Sequence, residues 1–243
     1  MDDVEVSVVL PALNEEKTVG VVTDRILSVF DREGLAGEVL VIDGCSSDRT
    51  GAIADGIAER DKRVRVIHLG PDAPGNLGIS LREGFRGARG RYVVALDCDL
   101  SHDPGEIPEL LARRHEADLV IGSRFVKGGK AELSWKRYVL TRTYNFMAKH
   151  LLGVKINDLT TGFRVYRKAM LDRIELASRG FGLQVETIVK ARVNGWKVIE
   201  VPIHYRRSDK KSTLIYRKQF ASYMLPLLHG VKARFSTPRA ARN

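Results

Sequence analysis

Cysteine is scarce in this sequence, which has only Cys45 and Cys98 among its 243 residues. Two cysteines in a chain of this length do not form a disulfide framework, and a reducing compartment is the simpler interpretation. The sequence begins with acidic residues followed by a strand-forming run, so we expect no signal peptide. We therefore expect a cytoplasmic protein.

Long hydrophobic runs are also missing. The least polar stretch near the C-terminus, residues 219–231, is interrupted by a proline and a histidine. A helix that crosses a bilayer needs about 20 mostly apolar residues. The sequence therefore predicts no transmembrane helix, and a peripheral position on the cytoplasmic face of a membrane is the form of membrane contact that we expect.

Two common nucleotide-binding motifs are absent. A dinucleotide-binding Rossmann domain needs a Gly-x-Gly-x-x-Gly turn after its first strand. Here the first strand-forming run, residues 4–10, is followed by Pro-Ala-Leu-Asn-Glu, and the sequence contains no P-loop. These absences argue against both classes of nucleotide-binding protein.

Charge is divided unevenly along the chain. Residues 1–122 carry a net charge of −9 and residues 123–243 a net charge of +19, which together give the overall +10. An acidic half is typical of a metal-bearing nucleotide site, and a basic half favours a phosphate-rich partner or an anionic membrane surface. Nucleic acid competes as a partner, but the aromatic-rich strands of RNA-binding domains are missing, so we predict none.

Short strand-forming runs alternate with helical segments at residues 4–10, 38–42, 64–69, 93–97 and 118–122. This alternation predicts an α/β fold with a mostly parallel central sheet and helices on both faces. Further along we expect helices at residues 135–152 and 183–193, and an edge strand at residues 197–205 because it contains Pro202. We assign residues 1–209 to one domain and residues 210–243 to a basic amphipathic extension.

Asp97 and Asp99, here called the acid pair, follow a buried strand-forming run. In an extended segment residues i and i+2 point the same way, so both carboxylates should meet just beyond the carboxyl edge of the sheet. Carboxylates this close repel one another unless a cation lies between them, and hard oxygen ligands suit Mg²⁺ or Mn²⁺. A solvated acidic turn is the alternative interpretation.

Four loops at predicted strand ends carry clustered polar residues: 11–15, 43–50, 97–101 and 122–124. Five motifs occur in order, namely Pro-Ala-Leu-Asn-Glu, Val-Ile-Asp-Gly-Cys-Ser-Ser-Asp-Arg-Thr, Asp-Cys-Asp-Leu-Ser-His-Asp-Pro, Gly-Ser-Arg-Phe and Thr-Gly-Phe-Arg. Over residues 4–215 this order resembles the family 2 glycosyltransferases of GT-A fold, most nearly their dolichyl-phosphate mannose synthase branch. The resemblance implies an inverting, metal-dependent transfer of a sugar from a nucleotide-sugar to a polyprenyl phosphate.

The resemblance also implies roles for individual residues. The catalytic residues would be Asp97, Asp99 and Arg124. The metal would be held by Asp97, Asp99 and Ser101, and the acceptor phosphate by Arg124, Arg137 and Thr141. The nucleotide-sugar would be bound by Pro11, Leu13, Glu15, Asp43, Asp97, Cys98, Arg206, Arg207 and Ser212.

The chain departs from the family pattern at several of these positions. Leu13 replaces the usual Tyr, Gly44 replaces the second acid of an Asp-Asp pair, and Ser101 stands where a Gln is common. The segment around Ser212 lacks the usual Gly and Lys. We expect GDP-mannose as donor and dolichyl or polyprenyl phosphate as acceptor, and these departures keep UDP-glucose open as the alternative donor.

An acceptor phosphate changes what the site must provide. A phosphate monoester has a second pKa of about 6, so it is mostly ionised at neutral pH and needs cations that position it rather than a general base. The planar fork of Arg124 suits this task. Two single residues each keep two interpretations: we expect His102 to be a surface imidazole, with a metal ligand as the alternative, and Asp158 to cap the turn before Thr160, with a catalytic or metal-supporting role as the alternative.

Other functions stay open at this point. A nucleotidyltransferase would use a similar acidic site and would release pyrophosphate. A basic nucleic-acid-binding or scaffold protein with a decayed site belongs to a different class. Strong, salt-dependent binding of RNA or DNA without binding of a nucleotide-sugar would indicate that class.

Overall fold

The structure is a computed structural model and describes residues 4–71, 75–207 and 216–236. Its strands are β1 (Val6–Ala12), β2 (Gly37–Asp43), β3 (Val64–His68), β4 (Tyr92–Ala95), β5 (Leu119–Ser123), β6 (Lys130–Ala131), β7 (Arg164–Arg167), β8 (Val198–Pro202) and β9 (His204–Tyr205). Its helices are α1 (Val19–Glu33), α2 (Thr50–Arg60), α3 (Leu77–Gly87), α4 (Ile107–Ala112), α5 (Trp135–Leu152), α6 (Lys168–Leu171), α7 (Gly182–Val193) and α8 (Tyr216–Ser236). A short 3-10 helix, Pro104–Glu106, precedes α4.

Seven strands form the central sheet, in the order β3-β2-β1-β4-β7-β5-β8. All neighbouring strands are parallel except at β7, which is antiparallel to both β4 and β5. The predicted mostly parallel sheet is therefore confirmed. The reversed strand matters for function, because Arg164 at its start pairs with Ala95 near the end of β4. The loop that precedes β7 consequently lies at the same sheet edge as the loops after β4 and β5.

Apolar side chains fill both faces of the sheet, as predicted. In β1, Val8 and Leu10 belong to a cluster with α1 and α4, while Val9 belongs to the cluster on the other face with α3, α5, α7 and α8. Successive residues of a strand point to opposite faces, so a strand buried on both sides is apolar throughout. This explains why the strand-forming runs lack the alternation of a half-exposed sheet.

The predicted helix at residues 135–152 is confirmed as α5. The expected single strand at residues 197–205 is instead two strands separated at Ile203: β8 forms an edge of the sheet, and β9 pairs with β6. Pro202 ends β8, where its missing N–H costs no pairing within the sheet. The step at Ile203 turns Tyr205 toward the site described below.

Helix α8 lies beyond the predicted domain boundary, which itself falls in residues outside the described range. Its Tyr223 and Leu227 are buried in the same apolar cluster as α5 and α7. A β-carbon at Gly182 of α7 would lie 2.1 Å from the carbonyl oxygen of Ser222, so the two helices touch backbone to backbone. Across the described part of the chain, none of the helices combines the length and the apolar character needed to cross a membrane.

Candidate active site

A cavity of about 1040 Å³ opens at the carboxyl edge of the sheet. Its walls come from the ends of β1 and β4, the loop before β7, and the helices α5, α7 and α8. The structure brings together at this cavity ten of the residues singled out from the sequence: Pro11, Leu13, Glu15, Asp97, Cys98, Asp99, Arg124, Arg137, Thr141 and Arg207. Residues far apart in the sequence thus share one site because parallel strands end at one edge.

Three predicted residues do not line the cavity, and Ser212 lies outside the described residues. Asp43 is buried behind Gly44 and accepts hydrogen bonds from the Ser46 N–H at 3.0 Å and from His68 Nδ1 at 3.1 Å. Burial alone would raise the pKa of Asp43, but these hydrogen bonds lower it overall. The carboxylate therefore braces the loop after β2 from behind.

Ser101 and Arg206 also act from outside the cavity wall. Ser101 is fully buried, and its N–H donates to Asp99 Oδ1 at 3.0 Å, so its backbone orients the acid pair. Arg206 pairs with Asp103 at 3.3 Å, and its N–H donates to the carbonyl of Ser101 at 2.8 Å. Both residues hold the loop that carries the acid pair.

The acid pair lies in a turn rather than in the extended strand that we predicted. β4 ends at Ala95, and Leu100 adopts a left-handed φ of 61°. The chain therefore bends sharply after Asp99, and both carboxylates still line the cavity. Burial raises the pKa of Asp97 to about 7, and the negative charge of Asp99 contributes in the same direction, whereas Arg124 and Arg137 oppose it. Without a bound cation, the site therefore disfavours the simultaneous ionisation of both carboxylates.

A divalent cation fits this donor set. Within the described ranges no cluster of three or more His, Cys, Asp or Glu side chains is arranged to hold a metal, so the protein would supply the two carboxylates of the acid pair. Mg²⁺ and Mn²⁺ accept such sites when phosphate oxygens and water complete the coordination. A bound cation would also remove the repulsion that raises the pKa of Asp97.

His102 is not the surface imidazole that we expected. Its ring is 1% exposed and lies between Phe163 and Tyr205, with ring centroids 5.4 and 5.2 Å away. Burial lowers its pKa to about 4, so the ring is neutral. Its Nδ1 lies 3.4 Å from Asp97 Oδ2, and neither ring nitrogen has a hydrogen-bond partner among the described residues. The expectation failed because the packing of Phe163 and Tyr205 over the loop is invisible in the local sequence.

Arg124, Arg137 and Thr141, here called the basic wall, line the side of the cavity formed by α5 and the loop after β5. The fork of Arg124 is engaged by Asp158: Nε donates to Oδ2 at 2.7 Å and Nη2 to Oδ1 at 2.8 Å. Both side chains are almost completely buried. In the described part of the chain, Nη1 is the end of this guanidinium without a hydrogen bond, so one edge is available to a ligand rather than the whole fork.

Arg137 is more open. Its Nη2 reaches Tyr205 Oη at the long distance of 3.5 Å, and its guanidinium carbon lies 5.8 Å from the centre of that ring. A half-buried guanidinium with one weak contact has donors left for an anion. Within the basic wall, Arg137 is therefore the cation best placed to bind a phosphate.

The loop before β7 connects the basic wall to the acid pair. Asp158 caps the turn as predicted, since its Oδ1 accepts from the N–H of Thr160 at 3.3 Å. Asn145 of α5 accepts from the N–H of Leu159 at 2.6 Å, which fastens the helix of Arg137 to this loop. At the loop's other end, a β-carbon at Gly162 would lie 2.9 Å from Asp97 Oδ1, so only glycine allows the loop to approach so closely.

At the opposite end of the cavity, the loops after β1 and β2 are fastened to each other. Asn14 has a left-handed φ of 54°, its N–H donates to Ser46 Oγ at 3.0 Å, and its Oδ1 accepts from the Ser47 N–H at 2.8 Å. The N–H of Glu15 donates to Thr50 Oγ1 at 2.7 Å. Leu13 lies between them with 38% of its surface exposed to the cavity side. Leu13 and Gly44 form an apolar surface at this end of the cavity, here called the shelf, with polar groups at its edges. Such a surface suits a planar ring.

Several lining residues were not found from the sequence. They include Asn76, Glu132, Tyr205 and Gln184. Tyr205 follows from no local pattern, because a two-residue strand gives no periodicity. Gln184 is the one amide in the helical stretch Gly182–Val193, but that stretch also carries Glu186, Thr187, Lys190 and Arg192, so the sequence alone does not single it out. A polar residue in a helix that is buried on most sides indicates either a structural hydrogen bond or a ligand.

Comparison with known proteins places the chain in a family. The sequence profile described as "Glycosyl transferase family 2" matches residues 7–175. The chain belongs to glycosyl transferase family 2. Among curated proteins it is 39% identical over 211 residues to a polyprenol monophosphomannose synthase of Mycolicibacterium smegmatis, covering 83% of this chain and 77% of that protein. It is 34% identical over 205 residues to an undecaprenyl-phosphate mannosyltransferase of Micrococcus luteus, covering 81% and 82%.

Solved structures with a similar fold are also known. Glucosyl-3-phosphoglycerate synthase from Mycobacterium tuberculosis, crystallised with Mn²⁺, uridine diphosphate and phosphoglyceric acid, superposes with a TM-score of 0.74. The match covers 93% of this chain and 78% of that one at 20% sequence identity. At this identity the likeness shows the GT-A fold, which confirms the predicted fold class.

Proposed function

We propose that this glycosyltransferase moves mannose from GDP-mannose to a dolichyl or polyprenyl phosphate with inversion. The observation that carries the proposal is that the acid pair and the basic wall line one cavity. An acidic, metal-binding half suits a nucleoside diphosphate, and a basic half suits a second phosphate that arrives on the acceptor. The names of the two mannosyltransferase relatives support the same donor sugar and acceptor class.

On the donor side, the acid pair would hold Mg²⁺ or Mn²⁺ against the diphosphate. When bound, such a cation stabilises the negative charge that develops on the departing nucleoside diphosphate. The crystallisation of a structural relative with Mn²⁺, and in another crystal with Mg²⁺, supports this choice of metal. The shelf formed by Leu13 and Gly44 would take the nucleotide base, while the Ser101 backbone keeps Asp99 in place.

On the acceptor side, Arg137 and the free edge of Arg124 would bind the phosphate, and the Thr141 hydroxyl would donate a further hydrogen bond. The ionised phosphate oxygen would attack the anomeric carbon from the face opposite the diphosphate, which inverts the configuration. Because the phosphate is already ionised at neutral pH, the chain needs no general base for this step. The buried, neutral His102 fits a supporting role behind Asp97 rather than proton transfer.

We also propose that the chain binds peripherally to a membrane, at its cytoplasmic face. Helix α5 exposes Trp135 and Phe146 with 75% and 67% of their surfaces free, and α8 exposes Leu225 and Leu228 beside it. Exposed basic residues on α5 complement anionic headgroups. Leu140 of the same helix lines the cavity, so an acceptor lipid could pass from the bilayer to the basic wall along α5. The substitution W135Q with F146Q should weaken sedimentation with phosphatidylglycerol vesicles, whereas V193Q on α7 should not.

The donor is tested by thermal unfolding with nucleotide-sugars. A ligand at 100 times its dissociation constant adds about 2.7 kcal/mol of stability, which gives a measurable rise in Tm. We expect GDP-mannose to raise Tm only when Mg²⁺ or Mn²⁺ is present, and mannose to pass into an organic-soluble product when undecaprenyl phosphate is added. A rise with UDP-glucose alone would instead support the glucosyltransferase that Leu13 and Gly44 keep open. No rise and no transfer with any donor would refute the proposed function.

A further inference from the structure

Two residues of the cavity wall have buried polar atoms without a hydrogen-bond partner in the described ranges: His102 and Gln184. His102 lies against Asp97 and belongs to the acid pair's surroundings. Gln184 has no such neighbour, and none of the contacts described so far uses its side chain. Gln184 is 2% exposed, and its Oε1 accepts no hydrogen bond from the described residues. A buried acceptor left unpaired destabilises the folded chain, so its presence in a binding cavity calls for a ligand.

The backbone places Gln184 close to the acid pair. Arg164 is completely buried, and its Nη1 donates to the carbonyl of Gln184 at 2.6 Å while its Nε donates to the carbonyl of Thr161 at 2.9 Å. Gly162, the next residue after Thr161, closely approaches Asp97 Oδ1. One guanidinium thus joins the first turn of α7 to the loop beside Asp97. Whatever is bonded to a diphosphate at the acid pair would extend into the neighbourhood of Gln184.

The position of Gln184 is fixed before any ligand arrives. Gly182, two residues earlier, is in backbone contact with Ser222 of α8. Thr187, three residues later, donates from Oγ1 to the carbonyl of Gln184 at 3.0 Å. Only the terminal torsion of the glutamine is soft, so the amide can turn its oxygen or its nitrogen toward the cavity at small cost. Such a preorganised amide is suited to selecting between ligands.

The chemistry of the amide distinguishes among the parts of a ligand. Phosphate oxygens only accept hydrogen bonds, so they could pair with Nε2 but would leave Oε1 unpaired, and a polyprenyl chain has no polar hydrogen at all. A sugar hydroxyl both donates and accepts, which matches an amide. Tyr144, Phe181 and Ser80, which line the same cavity, combine aromatic surface with hydroxyl groups, a combination that suits a sugar ring.

We propose that Gln184 is a specificity-determining residue that hydrogen-bonds one hydroxyl of the donor sugar. This inference rests on the proposed function and adds to it a residue that selects the sugar rather than the nucleotide. A site that hydrogen-bonds a substrate hydroxyl strongly disfavours the analogue that lacks it, because the protein group is then left unpaired. Gln184 would therefore distinguish between donor sugars by a single hydroxyl group. This selection would not depend on the metal or on the nucleotide base.

The test compares the wild-type chain with Q184M, which keeps the length of the side chain but removes its hydrogen-bonding atoms. Transfer is measured with the sugar nucleotide that the wild type uses and with its monodeoxy analogues. We expect Q184M to lower kcat/KM for the natural donor by about 5- to 150-fold, the range for a buried hydrogen bond. For the one analogue that lacks the bound hydroxyl, Q184M and the wild type should have nearly equal kcat/KM values. The affinity for the free nucleoside diphosphate should not change.

Two controls separate this role from a structural one. V193Q, on an exposed position of the same helix, should leave every donor unaffected. Q184E, which keeps an acceptor, should restore part of the discrimination against the deoxy analogue. If Q184M discriminates among all the deoxy donors as the wild type does, or if it loses activity equally with every donor together with nucleotide affinity, the inference is overturned. A wild-type chain that transfers no sugar at all would instead refute the proposed function.

Discussion

The acid pair and the basic wall, on two sides of one cavity, compensate their charges in opposite ways. Arg124 is neutralised inside the protein by Asp158, through two hydrogen bonds in an almost fully buried pair. Within the residues that the structure describes, no salt bridge pairs Asp97 or Asp99 with an arginine or a lysine, and the repulsion between the two carboxylates adds to the effect of burial in raising the pKa of Asp97. The comparison teaches that the buried Arg124–Asp158 pair serves the fold, whereas the acid pair and Arg137 keep their charge for ligands. Substitutions on the two sides should therefore differ in what they damage.

The largest effect should come from D99N. We expect transfer to fall by about 100- to 1,000-fold, the loss typical of a removed electrostatic stabiliser, with Tm unchanged or higher because repulsion with Asp97 is relieved. Initial rates over a range of Mn²⁺ concentrations, together with thermal unfolding, measure both quantities. D172N, at an exposed ion pair with Lys168, is the matched control and should behave as wild type. If D99N were less stable than the wild type but transferred sugar normally, Asp99 would serve the fold rather than the ligand, which contradicts our assignment.

D158N should show the opposite pattern. It leaves Arg124 buried without its counter-charge, and breaking a buried pair destabilises a protein by about 3–5 kcal/mol. Urea unfolding measures the loss, and the double variant R124M/D158N should recover part of it because the unpaired cation is gone. Equal stability of D158N and wild type would contradict the internal role that we assign to this charge.

A smaller and more selective effect is expected for R137Q. Its weak contact with Tyr205 contributes little to the fold, so stability should stay near that of the wild type. Loss of charge-assisted hydrogen bonds to the acceptor phosphate should raise the acceptor KM by about 10- to 100-fold, with little change in the donor KM. R32Q, at an exposed arginine near the end of α1, is the control. An equal rise in the KM for the donor and the KM for the acceptor would contradict a role of Arg137 that is limited to the acceptor phosphate.

The smallest effect concerns His68, which braces Asp43 behind the acid side. Hydrogen bonds to Asp43 and Asp55 raise the pKa of His68. A histidine whose folded pKa is raised stabilises the fold fully below its unfolded pKa of about 6.5, and this contribution disappears as pH rises through the folded value. The difference in Tm between wild type and H68N should thus be largest at acidic pH and vanish at alkaline pH. If the difference in Tm between the wild type and H68N did not depend on pH, the positive charge of His68 would not contribute to stability.

The sequence predicts the strands of the sheet well and the direction of β7 poorly. Buried strands such as β1 and β5 are short apolar runs followed by polar loops, which is a local pattern. The four residues of β7 carry no information about their orientation, because the same side chains would alternate identically in a parallel strand. The antiparallel direction of β7 follows from the long connection through α5. This connection leaves the sheet at the carboxyl edge after β5 and returns to the same edge, where β7 begins.

Partners within the site were harder to predict than the site itself. The acid pair follows from two carboxylates, one residue apart, that come just after a strand-forming run. The partner of Arg124 lies 34 residues away, and the loop geometry that joins them is set by Glu200 and Asn145, which bind the backbone of residues 157–159. Such contacts depend on tertiary packing, so a motif can indicate that an arginine matters without indicating which of its atoms remain available.

The antiparallel strand β7 also has a consequence for how the acceptor side of the site is inserted into the fold. Because β7 lies between β4 and β5, the whole excursion from Arg124 to Phe163 leaves and re-enters the sheet between neighbouring strands. The segment that carries α5 can therefore vary in length and surface while the loops after β1, β2 and β4 keep their places. In a chimera, residues 124–163 would be replaced by the corresponding segment of a relative with a different acceptor preference. We expect this chimera to have a changed acceptor specificity and an unchanged donor specificity.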